Sequence, residues 1–247
     1  MRLKINFHGS NTLVPINNNH ILKSYINKCL SNNENYHGKV HESCVSQISG
    51  GKKIKDQALL DFSKGAFIII TSSDMIFINQ LIIGMLQDTE LGFGLMFHNF
   101  ELIDEKFYDG WNHFATLSPF IIEDRGVLIN GHRRYITLRD EDFQDKVEIY
   151  LKNKISKINP SLDLFDFKVK IDRNHPSHKV KMISVRRFKD DGSFVDVLNH
   201  SNQCFISIHT NKKTAELLYN IGIGFSTNIG FGTIYKTENV AKYRINY

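Results

Sequence analysis

Two stretches of the chain carry apolar residues at helical spacing, and each is flanked by stretches that read as strands. In the first, Leu22, Tyr25, Ile26, Cys29 and Leu30 fall at i, i+3, i+4, i+7 and i+8, which is one face of a helix. In the second, Ile78, Leu81, Ile82, Met85 and Leu86 repeat the stripe, with Ser73 and Asp74 in capping position before it. Around them, residues 2–7, 40–48, 66–71 and 93–103 read as strands, and the turn-forming run SNNENYHG ends the first helix. The order β-α-β-β-α-β leaves few ways to bury both helical stripes. The simplest lays both helices on one face of a single antiparallel sheet.

The second half repeats the order without repeating the sequence. Residues 114–122 and 134–138 read as strands, and Phe143, Val147, Tyr150, Leu151 and Ile158 mark a helix. Residues 164–171, 179–188 and 204–209 read as strands, followed by a short helix over 212–221 and a strand over 231–236. The expected fold is α+β, two tandem ferredoxin-like modules of the RNA-recognition type. The N-terminal module spans residues 1–115 and the C-terminal module residues 116–247, and 247 residues are enough for two such cores.

Composition narrows the function. With 41% hydrophobic and 23% charged residues the chain is globular rather than disordered. Its longest apolar run, residues 75–86, is interrupted by Asn79 and Gln80 and is too short to span a bilayer. The opening MRLKINF lacks the apolar core of a signal peptide, so a cytoplasmic protein without membrane attachment is expected. Cys29, Cys44 and Cys204 are scattered, with no CxxC pair, and read as buried thiols rather than zinc ligands or a disulfide framework. His37 and His41 stand at HxxxH spacing, but no Cys/His cluster accompanies them and the chain is read as needing no metal; no cofactor motif is present. Trp111, the only tryptophan, reads as core or junction packing rather than a base-stacking platform.

The net charge is only +5, but its distribution is uneven. Between Lys168 and Lys189 stand eight Lys or Arg against one acid, Asp172, a local excess of +7 that leaves −2 for the rest. Such a concentration suits a polyanion. A solvated strand face is the alternative. The sharpest local motif is GIGFSTNIGFG, residues 222–232, where Gly222, Gly224, Gly230 and Gly232 flank Ser226, Thr227 and Asn228 directly after a helix. Exposed amides in such a loop can bind phosphate oxygens; a plain turn is the alternative. It is not a dinucleotide-binding fingerprint, since it follows a helix and opens none.

A helix leading into G-[IL]-G-x-x-x-x-x-G-F-G and a last strand resembles the signature of the CRISPR-associated repeat-processing endoribonucleases of the RAMP superfamily. Three further segments agree in order: MRLKINF with LVPINNNHILKSYI, where Pro-x-Asn precedes the first helix; NQLIIGML in the second helix; and ATLSPFII, residues 115–122, similar to a T-x-S-P-[IV] element at the module junction. The resemblance runs from residue 1 to about 236. It implies chemistry just after the first helix, in YHGKVHESCVSQI, where His37 stands at the family histidine. His41 stands where some members have a lysine, which fits the version with two nearby histidines. Phe225 replaces the basic residue that many members carry after the second glycine.

The implied reaction is metal-independent cleavage of precursor crRNA by the ribose 2′-OH, leaving a 2′,3′-cyclic phosphate and a 5′-hydroxyl. Imidazole can take or give a proton near neutral pH. On this reading His37 and His41 carry proton transfer and Lys39 meets the phosphate charge. Tyr25 aligns with a helix tyrosine that some members use, although its place on the buried stripe favours packing. Candidate RNA contacts are Lys52, Lys53, Arg133, Arg134, Lys179, Lys181, Arg186 and Arg187, together with Gly222, Gly224, Ser226, Thr227, Asn228, Gly230 and Gly232. The implied partner is CRISPR repeat RNA, with effector-complex subunits as further partners and a monomer or homodimer as the oligomeric state. The alternative from another functional class is a non-catalytic RAMP-type subunit that holds guide RNA.

Overall fold

A computed structural model describes residues 1–37, 42–129, 132–188 and 193–237. The N-terminal half contains β1 (Arg2–Phe7), β2 (Ser10–Pro15), α1 (Asn19–Cys29), β3 (Ser43–Val45), β4 (Lys52–Lys53), β5 (Leu59–Phe62), β6 (Ala66–Ser72), α2 (Met75–Gln87), β7 (Glu90–Gly92) and β8 (Leu95–Leu102). The C-terminal half contains β9 (Gly110–Thr116), β10 (Glu123–Ile129), β11 (His132–Tyr135), α3 (Phe143–Ile158), β12 (Lys168–Lys170), β13 (Lys179–Phe188), β14 (Phe194–Gln203), β15 (Phe205–Thr210), α4 (Lys212–Ile221) and β16 (Ile234–Lys236).

Each half builds one antiparallel sheet on the same plan. The first is ordered β3-β6-β1-β8-β7 and the second β12-β15-β9-β16. With β7 set aside as a hairpin extension, both run second, third, first, fourth strand of their β-α-β-β-α-β unit. The stripes that suggested helices are the faces that pack. Leu22, Tyr25, Ile26 and Cys29 of α1 meet Phe77, Ile78, Leu81 and Met85 of α2 over Leu3, Ile5, Ile68 and Ile70 of the first sheet. Phe143, Val147, Leu151 and Ile155 of α3 with Leu218 and Ile221 of α4 cover Phe114, Val169, Ile206, Ile208 and Ile234 of the second. Helix α2 starts where expected, with Asp74 Oδ1 accepting from the backbone N–H of Ile76 and Phe77 at 2.9 and 3.1 Å, which satisfies two of the orphan donors of its first turn.

Several elements differ from the sequence reading. Strand β9 covers 110–116 rather than 114–122, so the second sheet begins before residue 116 and the chain changes sheets between Leu102 and Gly110. The strand read at 40–48 is confined to Ser43–Val45 within the described residues, and the one read at 164–171 to Lys168–Lys170. The strand read at 134–138 is β11, which among the described residues pairs with β10, outside the main sheet. The strand at 179–188 is present but forms a two-stranded hairpin with β14. A small sheet ordered β2-β5-β4 was not expected at all. Trp111 is 47% exposed rather than packed in a core. The three cysteines are free and buried, as expected. Among the described residues no helix is long and apolar enough to cross a membrane.

Candidate catalytic loop and nucleic-acid interface

The chain leaves α1 through a tight turn that ends at His37. That side chain is exposed, and its Nδ1 lies 3.1 Å from the carbonyl oxygen of Asn27, in the last turns of α1. A carbonyl can only accept, so Nδ1 is the donor and the neutral ring carries its lone pair on Nε2. Lys39 and His41 lie outside the described residues. The chain returns at Glu42, whose carbonyl accepts from Ser72 Oγ at 3.1 Å. Tyr25 is 2% exposed on the core face of α1, with its ring edge-on to Phe7 at 6.0 Å. Burial, with Cys29 beside it, holds its hydroxyl well above the usual phenol range.

The glycine-rich segment joins the two modules. Gly222, Gly224, Gly230 and Gly232 all have positive φ and are all buried. A Cβ on Gly232 would stand 1.7 Å from the carbonyl oxygen of Ile223, and one on Gly222 would stand 2.5 Å from Cys44 Sγ in the first module. The absent side chains therefore permit backbone-to-backbone approach. Hydrogen bonds then cross the interface: Asn19 Nδ2 donates to the Ile229 carbonyl at 2.7 Å, Thr227 Oγ1 to the Ser43 carbonyl at 3.1 Å, and Thr71 Oγ1 to the Asn220 carbonyl at 2.6 Å. The Arg2 guanidinium lies 4.1 Å from the centre of the Tyr219 ring. Within the segment it is residues 225–229, not the glycines, that keep part of their surface exposed.

That exposed stretch borders a cleft of about 630 Å³ shared with α3 and Glu42. Among the cations that line it is Lys154, whose Nζ donates to the carbonyls of Ile221, Gly222 and Gly224 at 3.2, 2.9 and 3.2 Å. A cation there meets the carbonyls that a helix C-terminus leaves unpaired. Burial pulls the Lys154 pKa down to about 8, with Cys44 and Glu42 opposing the shift. Phe225 packs against Tyr150 with ring centres 4.9 Å apart. Lys154 was missed in the sequence, although a signal existed. It stands seven residues after Val147 and four after Tyr150, on the edge of the apolar stripe rather than on the solvent side.

The other candidates are dispersed. Lys52 and Lys53 are exposed on β4. Arg133 donates to both carboxylate oxygens of Glu123 at 2.9 and 3.0 Å, and Arg134 pairs with Asp124 and Asp140 at 3.7 and 3.3 Å. The basic segment is not one stripe. Lys168 and Lys170 lie on the main sheet, whereas Lys179 and Lys181 lie on the hairpin strand β13, which packs beside α1. Burial, with Lys179 nearby, lowers the Lys181 pKa. Arg173 donates to the carbonyls of Leu138 and Glu141 at 3.2 and 3.0 Å and so clasps the fold. The Arg186 and Arg187 side chains lie outside what the structure describes. His37 and the glycine-rich segment are held at different points of α1: Asn27, which holds the one, and Asn19, which holds the other, are eight residues apart, roughly 12 Å along the helix. Among the described residues, no three His, Cys, Asp or Glu side chains gather as metal ligands.

Residues 103–235 match the C-terminal family model of CRISPR-associated protein Cas6, more than half of the chain. No curated protein matches. Among solved structures, a RAMP protein described as binding different RNA substrates is 19% identical over 96% of this chain and 100% of its own, with a TM-score of 0.76. A Cas6-related protein of Pyrococcus furiosus is 20% identical over 97% and 99%, with a TM-score of 0.74. A further CRISPR-associated Cas6 protein is 18% identical over 96% and 99%, also at 0.74. At these identities the likeness establishes the shared double ferredoxin-like fold, and the family match carries the identity. The chain belongs to the CRISPR-associated Cas6 family.

Proposed function

We propose that the protein is an endoribonuclease that cuts CRISPR repeat transcripts without a metal ion, with His37 as the group that takes the proton of the attacking 2′-OH. The observation that carries this reading is the 3.1 Å contact between His37 Nδ1 and the Asn27 carbonyl. With Nδ1 donating to that carbonyl, Nε2 is left as the acceptor of an exposed imidazole just after α1. In the step, the 2′-OH proton passes to Nε2, the 2′-oxygen bonds to phosphorus, and the bond to the 5′-oxygen breaks as that oxygen takes a proton. The products are a 2′,3′-cyclic phosphate and a 5′-hydroxyl. His41 is assigned the proton donor and Lys39 the cation beside the phosphate oxygens.

RNA is held on this reading by Lys52, Lys53, Lys179 and Lys181, with Ser226, Thr227 and Asn228 at the cleft. His37→Ala should slow cleavage by roughly 10²- to 10⁴-fold, the range for one general acid or base, while repeat RNA still binds. Cleavage should persist in EDTA. Full activity in His37→Ala would reject the assignment and leave a protein that holds guide RNA without cutting it.

A further inference from the structure

One face of the second sheet is covered by α3 and α4, and strand register determines what stands on the other. Trp111 of β9 is opposite His209 of β15, which is opposite Lys168 of β12. On the next rung stand His113, Ser207 and Lys170. On the third, Ala115 lies between Phe205 of β15 and Tyr235 of β16. The alternate positions, Asn112, Phe114, Val169, Ile206, Ile208 and Ile234, are buried under the helices, and on this side Ala115, Phe205 and Ser207 are buried as well. The open part of this face is therefore its first two rungs, where Trp111, His113 and His209 stand beside the edge-strand lysines Lys168 and Lys170.

The rings are held in place. His209 Nδ1 donates to the Asp166 carbonyl at 3.0 Å, and its ring stands edge-on to Trp111, with centres 5.3 Å apart at 68°. His113 Nδ1 is 2.8 Å from Ser207 Oγ. Yet Trp111 remains 47% exposed, and Lys168 and Lys170 are exposed at its side. Among the described residues of these four strands, the open face carries two lysines and no carboxylate. Two strand spacings, roughly 10 Å, separate the Lys168 backbone from that of Trp111, within reach of an extended lysine side chain.

We propose that this face is a second RNA-binding surface. It takes an unpaired stretch of RNA with one base stacked on Trp111 and the adjoining phosphates on Lys168 and Lys170. Aromatic side chains on a four-stranded sheet of this plan stack bases irrespective of sequence, and cations beside them meet the backbone. The positive charge favours an anionic partner over an apolar protein surface, and the exposed ring beside it adds a stacking partner for a base. The surface lies across the sheet from the α3 cleft and does not depend on cleavage at His37.

The chain contains a single tryptophan, so its emission reports this face alone. A 12-nucleotide oligoadenylate RNA should quench that emission, with a midpoint matching anisotropy of the same oligonucleotide carrying a fluorophore. Trp111→Ala should weaken binding roughly 5- to 150-fold, the effect of removing one stacked base, and Trp111→Phe should retain most of the affinity. Replacing both Lys168 and Lys170 with alanine should flatten the log–log salt dependence by about 1.4, or about 0.7 per phosphate contact on a single strand. The lysine pair keeps the test open if Trp111→Ala folds poorly. Quenching should be unchanged in His37→Ala, which separates this surface from the cleavage assignment. Unaltered emission at saturating RNA, or parent affinity in Trp111→Ala, would overturn the proposal and leave the face to a protein partner.

Discussion

Gly232→Ala tests the account of how the two modules are joined, and its cost can be worked out from three terms. At φ +68° an L side chain is strained, at roughly 1–2 kcal/mol for the left-handed region. The new Cβ would stand 1.7 Å from the Ile223 carbonyl oxygen, so backbone must shift, and overpacking of that kind costs about 1–3 kcal/mol. The shift also strains the bond from the Ile223 N–H to the Gly232 carbonyl, now 2.9 Å, worth about 0.5–1.5 kcal/mol. Together they come to about 3–6 kcal/mol. At about 2–4 °C per kcal/mol for a chain of this size, melting should fall by roughly 6–24 °C. Gly110→Ala is the matched control: it has φ +105° and nothing within 4 Å of its Cβ, so strain acts alone and the loss should stay near 1–2 kcal/mol. Urea unfolding followed by Trp111 emission measures both. Equal losses in the two variants would refute the close-approach argument.

Lys154 provides a pH test. Its folded pKa, about 8, lies below the ordinary lysine value, so between about pH 8 and 10.5 the unfolded chain binds the extra proton and this group raises stability as pH rises. The advantage of the parent over Lys154→Met in urea unfolding should therefore grow from pH 7 to 9.5, and a shrinking advantage would contradict the buried placement. Tyr25→Phe should leave cleavage within about threefold rather than cost the roughly 10²- to 10⁴-fold of a proton-transfer group, because its hydroxyl faces the core; a large loss would restore Tyr25 to the site. The three buried thiols should resist a disulfide reagent until the protein unfolds, burial pushing Cys29 up to about 12. Rapid labelling of the native protein would place one of them nearer the surface.

The helices were legible because period 3.6 survives in a single sequence: every α1 position read as apolar is buried. Helix α2 shows the limit, since Leu86 falls on its stripe yet is 60% exposed; apolar residues nearly surround that helix and do not define one side. Trp111 was misread for a reason of parity. It stands three residues from Phe114, so in a strand the two cannot share a face. Asn112 takes the buried position instead because its Nδ2 donates to the carbonyls of Tyr108 and Gly110 at 2.9 and 3.2 Å. The small sheet of β2, β4 and β5 and the β13–β14 hairpin depend on which strand finds which partner, and local periodicity is silent on that. The glycines were legible as special, with a plain connector as one reading; which parts they join was not, because the atoms that Gly222, Gly224 and Gly230 make room for belong to Cys44, Ile121 and Asn19, remote in sequence.

The central claim, that the ribose 2′-OH is the nucleophile and His37 its base, is tested most directly by one substrate. Repeat RNA carrying a single 2′-deoxynucleotide immediately upstream of the cut keeps every base and phosphate and removes only the attacking group. The parent protein should bind it nearly as tightly as the all-ribose RNA and fail to cut it. Cleavage of the deoxy substrate at the rate of the all-ribose RNA would contradict the account.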